Sequence, residues 1–75
     1  MKRVQLVSSM MASAGYDSRT RVLEIEFVVG AVYQYFDVPL DGYQDLLDAP
    51  SHGRFFHNRI RSAFHCQRVA EVSAQ

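Results

Sequence analysis

Arg54, Arg59, Arg61 and Arg68 stand, with Asn58, in a stretch from Ser51 to Val69 that holds three histidines and no acid. A guanidinium presents a planar fork of donors that grips phosphate or carboxylate through two bonds at once. At 3.6 residues per turn, Arg54, Asn58 and Arg61 fall on one side of a helix. That spacing makes a phosphate-binding surface, with RNA as the natural polyanion. The same pattern also serves as the solvated face of an ordinary amphipathic helix, paired with Asp41, Asp45 and Asp48 on a neighbouring helix. Tyr33 and Tyr35 share one face of a strand. Exposed there, they would stack unpaired bases. Gln34 lies opposite them with Val32 and Phe36 and marks that side as the wet one, which sends the tyrosines into the core with their hydroxyls at its rim.

Other reactive side chains do not assemble into a site. His52, His57, His65 and Cys66 are zinc ligands by type, but their spacing matches no compact ligand pattern. Cys66 beside His65 lacks an orienting third group, and neighbours on an extended segment point apart. The aspartates read as a polar helix face rather than an acid–base pair. No phosphate loop or glycine-rich fingerprint occurs. The expectation is a non-enzyme with no catalytic residue, metal or cofactor.

The elements that must position these groups follow from periodicity. Val22 to Val28 alternates: Leu23, Ile25 and Phe27 point one way, Glu24 and Glu26 the other. Val29-Gly30 turns the chain into Ala31–Phe36, rich in aromatics. Met11 to Tyr16 reads as a weaker strand. The first eight residues either add an edge strand or fray, Cys66 to Val69 offers a short extended piece, and the tail from Ala70 to Gln75 is expected to fray. After Pro39, the spacing of Tyr43, Leu46 and Leu47 makes a helix that Pro50 ends. Ser51 then caps a second helix whose core face is Phe56, Ile60, Ala63 and Phe64. The sum is an α+β fold: a three-stranded antiparallel meander followed by two helices packed on one face, β-β-β-α-α. If Gln34, Glu24 and Glu26 mark the uncovered face, then Val22, Val28, Val32 and Phe36 share it. That apolar surface suits a protein partner or a homodimer, although single surface apolars are ordinary.

At 75 residues the chain makes one domain, 1–75, with its core about 7–69. Such a chain has a thin core, and its lone cysteine, Cys66, forms no internal disulfide. A formal charge of zero argues against strong binding to any polyanion as a whole. The charges are segregated, however: residues 37–48 hold four acids and no base. No apolar run spans a membrane and no export signal follows the basic start, so a cytoplasmic protein is expected.

The order of motifs resembles one family. Val7-Ser8-Ser9, Ala12 through Asp17, Leu23 through Phe27, Val32-Tyr33-Gln34-Tyr35-Phe36-Asp37-Val38-Pro39, and Gly53-Arg54-Phe55-Phe56 with Asn58 and Ile60-Arg61 together resemble the KTSC domain. The resemblance runs from about Val7 to Val69, with Tyr33 and Tyr35 as its hallmark pair. Members occur as small bacterial and phage proteins and at the C-terminus of some lysyl-tRNA synthetases. What the resemblance implies is an RNA-binding module, with tRNA or single-stranded RNA as its partner.

Overall fold

A computed structural model describes residues 2–69. One sheet of five antiparallel strands runs in chain order: β1 (Arg3–Gln5), β2 (Met11–Asp17), β3 (Val22–Phe27), β4 (Val32–Tyr35) and β5 (Cys66–Val69). Between β4 and β5 come α1 (Leu40–Asp48) and α2 (His52–Phe55), the latter running into a π-helical turn over Phe56–Ile60. The three-stranded β-β-β-α-α expectation is therefore corrected. A short strand extends the meander at each edge, and the two α-helices are short. Both segments are open as extended pieces in the sequence, but at three and four residues they are too short to claim a place in the sheet. Their pairing partners lie on β2 and β4, so no local periodicity announces them.

β2 carries an extra residue. Met11 pairs with Phe27, but Ser13 pairs with Glu26, so Ala12 forms a bulge. The bulge reverses the phase of alternation. Met11 and Ser13, two residues apart, thus serve opposite faces: Met11 joins the core, and Ser13 joins Glu26 outside it. This is why the sequence Met-Ala-Ser-Ala-Gly-Tyr alternates only in part.

The core lies between the sheet and the helical segments. Leu23, Ile25 and Tyr35 from the strands meet Leu46, Phe56 and Ile60 from the helical side. Tyr16 stacks on Tyr43 of α1 at 5.1 Å between ring centres, and its hydroxyl donates to the Val38 carbonyl at 2.5 Å. That pair fastens α1 to β2. α1 ends at Ala49, before Pro50, and His52 donates from Nδ1 to the Leu46 carbonyl at 2.8 Å. His52 is thus a structural histidine that satisfies a helix-end carbonyl. Ser51 caps α2, its hydroxyl accepting from the Arg54 amide at 3.2 Å.

The other face of the sheet is held by a polar ladder. Arg3 on β1 donates to Glu24 through Nε at 3.0 Å and also through its Nη2, and to Glu26 through Nη1 at 3.2 Å. Ser13 donates to Glu26 at 3.0 Å, and Gln34 to Glu24 at 2.8 Å. Four strands are tied by these side chains. Burial alone would raise the Glu24 carboxyl, but hydrogen bonds from Gln34 and Arg3 and the Arg3 charge hold it below its ordinary 4.5. A carboxylate with a lowered native value stabilises the fold above the ordinary value, and this contribution fades as pH falls through the native one. Replacing Arg3 with Ala leaves Glu24 and Glu26 without their cation. We expect a loss of about 1 kcal/mol at neutral pH, read as a fall in melting temperature of roughly 4–8 °C. The gap between wild type and Arg3→Ala should close as the pH falls from the ordinary 4.5 through the lowered Glu24 value.

Candidate functional site

The π-helical turn decides where the arginines go. The Arg61 amide donates to the Phe56 carbonyl at 2.9 Å, five residues back instead of four. One extra residue in a turn rotates everything after it by roughly 100°. Arg61 is thereby carried away from Arg54 and Asn58, with which a regular helix would align it. Ala63, expected in the core, is exposed. Phe56 and Ile60 remain buried, because they sit before the displaced register.

Arg61 instead borders a groove of about 610 Å³ between the helical segment and the sheet. Its floor is aromatic: Phe56 packs edge-on against both Phe27 and Tyr35, each at 5.5 Å. Tyr33 lies 6.5 Å from Tyr35 and meets Phe27 edge-on at 5.9 Å. Arg61 and His57 stand on the helical rim, Cys66 on the β5 side, and Met10 and Gly53 close the far end. Arg61 reaches His57 Nδ1 at 3.5 Å, a contact that asks this nitrogen to accept. Volume and lining fall within the usual range of ligand pockets, an apolar floor with a few polar groups at the edge.

Tyr35 is 4% exposed and Tyr33 half-buried. The tyrosines therefore belong to the floor and wall of the groove rather than to an open stacking platform. Burial, with Cys66 and Tyr33 nearby, pushes the Tyr35 hydroxyl up to about 12.

Arg54, Asn58 and Arg59 border a second groove with Phe55, Pro50 and Ser51. Arg59 lies over the Phe55 ring at 5.9 Å, a cation–π geometry. Arg68, on β5, pairs across the ladder with Tyr33. Among the described residues, Asp41, Asp45 and Asp48 form no ion pair with Arg54, Arg59 or Arg61; the ion pairs seen are those of Arg3.

On the uncovered face of the sheet, Val32 is 2% exposed, and Glu24, Glu26 and Gln34 are bound into the Arg3 ladder. Val22 and Phe36 are half-buried, and Val28 is exposed in the turn beyond β3. The apolar patch expected from Val22, Val28, Val32 and Phe36 is therefore thin. Among the described residues, no three His, Cys, Asp or Glu side chains are grouped to hold a metal ion. No helix there is long and apolar enough to cross a membrane.

Sequence reasoning found Tyr33, Tyr35, Arg54 and Arg61 but missed the roles of Met10, Phe27, His57 and Cys66 as groove walls. Only the β4–β5 register, Tyr35 opposite Cys66, brings the last of these in.

Comparison with known proteins identifies relatives of the fold. The KTSC domain model matches residues 7–64. An uncharacterized protein of Stutzerimonas stutzeri is 51% identical over 57 residues, covering 76% of this chain and 80% of that one. A lysine–tRNA ligase of Trichormus variabilis is 42% identical over 55 residues, 73% of this chain but 10% of the ligase. A crystal structure of a KTSC domain protein from Yersinia pestis superposes with a TM-score of 0.88 at 40% identity, covering 91% of this chain and 96% of that chain.

The buried tyrosine gives a pH test of the groove floor. A hydroxyl whose native value is raised favours folding while neutral, and that contribution is lost as the pH climbs from the ordinary 10 towards about 12. Stability measured by urea unfolding should fall over that window, and Tyr35→Phe should flatten the fall. Equal slopes in the two proteins would place the tyrosine in water.

Proposed function

Because the chain belongs to the KTSC domain family, we propose a function for the domain as such: a non-catalytic module that binds RNA in single-stranded form. The observation that carries this reading is Arg61 on the rim of the aromatic groove with Arg54 and Arg59 on the second groove, none of the three in an ion pair among the described residues. Guanidinium groups hold phosphates, and aromatic and sulfur-bearing walls take unstacked bases, the combination on which single-strand binders rely. A zero net charge is compatible with it, since residues 51–69 carry four arginines and no acid and the local field there is basic. The relationship to a protein named lysine–tRNA ligase adds a context in which tRNA is at hand.

The test is fluorescence anisotropy with short single-stranded RNA and with tRNA across a salt series. Affinity should fall with salt, and Arg54→Ala with Arg61→Ala should weaken it by about a hundredfold if each removes one charge-assisted contact. The double variant should also lower the slope of log affinity against log salt by roughly 1.4, two phosphate contacts' worth. An unchanged affinity in a folded double variant would remove this reading.

A further inference from the structure

The two grooves are not separate. A third depression, floored by Ser8, Ser9 and His52, lies between them. It shares Met10 and Gly53 with the aromatic groove and Pro50, Ser51 and Arg54 with the groove beneath Arg59. The three therefore run into one another around the start of α2, with Arg61 beside the aromatic groove, Arg54 shared by the middle depression and the second groove, and Arg59 beside the second groove.

Resting on the RNA reading above, we propose that this is one curved track for a flexible single strand of about four nucleotides, the low end of known single-strand site sizes. The bend selects the ligand's form. A helix with its side chains is about 10–12 Å across, and a path wrapped around one turn of it is far tighter than a duplex, with its persistence length near 150 base pairs, can follow. A single strand rotates about each backbone bond and follows the path, setting its phosphates on the arginines in turn. Mononucleotide binding would use the aromatic groove alone and leave Arg59 idle.

Gly53 is the saddle between the aromatic groove and the next. A Cβ placed there would meet Met10 Cε at 3.5 Å and Met10 Cβ at 4.0 Å, ordinary contact. Gly53→Ala therefore fits. Gly53→Leu would fill the saddle, at a helical position where losing glycine favours folding.

The experiment measures affinity against length, from mononucleotide to octanucleotide single strands and a matched RNA duplex, with wild type, Gly53→Ala and Gly53→Leu. Amide shifts of the wild-type protein are recorded with the tetranucleotide. The track predicts affinity rising by about tenfold per added nucleotide up to about four and then levelling, with weak duplex binding. Gly53→Leu should lose the gain beyond two nucleotides while Gly53→Ala keeps it. Shifts should appear together at Arg61, at Met10 and Gly53, and at Asn58 and Arg59. Affinity independent of length, a duplex bound as well as a single strand, or shifts confined to one groove would overturn the track. So would a folded Gly53→Leu that matches wild type. If the Arg54→Ala, Arg61→Ala double variant still weakens binding in those cases, the RNA reading stands and the track alone falls. If no nucleic acid of any length or form binds, both fall.

Discussion

Phe56 joins the two halves of this domain. Its ring meets Phe27 and Tyr35 edge-on from the helical side, and Ile60 and Leu46 close the contact around it. Edge-to-face packing carries about 0.5–1.5 kcal/mol per pair beyond area burial. The segment after Pro50 has no long helix to dock through: four residues of α-helix and five of π-helix are held largely by two buried side chains. The depth of the aromatic groove is set by how far Phe56 stands the helical segment off the sheet. The π turn follows from the same constraint. Phe56 and Ile60 must both face inward while the chain still reaches β5 opposite Tyr35, and one extra residue in the turn allows both.

How much of this was legible depended on range. Leu23-Glu24-Ile25-Glu26 advertises a strand with one buried and one polar face because both faces are written within a few residues. The cap at Ser51 and the stop at Pro50 are local in the same way. The edge strands are long-range objects. β1 exists because Arg3 finds two glutamates 21 and 23 residues away, and β5 because it completes the ladder on β4. The sequence could likewise place Arg54, Asn58 and Arg61 on one helical face only by assuming a regular helix. The π turn breaks that assumption, and no residue type in Phe56–Ile60 signals it. Gln34 was a reliable local clue that the tyrosines turn inward, since a strand cannot show Gln34 and Tyr35 to the same side.

The two surfaces of the sheet have opposite electrostatic characters. On the uncovered face, the charges of the central ladder are answered: Arg3 by Glu24 and Glu26, Glu24 further by Gln34, Glu26 by Ser13. Such a surface offers little to a charged ligand. On the helical side, the cations are met by aromatic side chains, Arg59 by the Phe55 ring and Arg61 by the accepting nitrogen of His57. A guanidinium so placed keeps its donors available to an incoming anion. That contrast directs the functional reading to α2 and the turn after it rather than to the broader sheet surface.

The bulge at Ala12 sets a limit on how this family can vary. Before it and after it, β2 counts residues in opposite phase. Substitutions along the strand are judged one side chain at a time, but an insertion or deletion here is judged by the whole strand end at once. Losing Ala12 would restore regular alternation and offer the sheet a choice between burying Met11 and pairing Ser13 with Glu26. Residue identity along β2 is therefore freer to change than the spacing from Met11 to Tyr16, on which the phase of both faces depends.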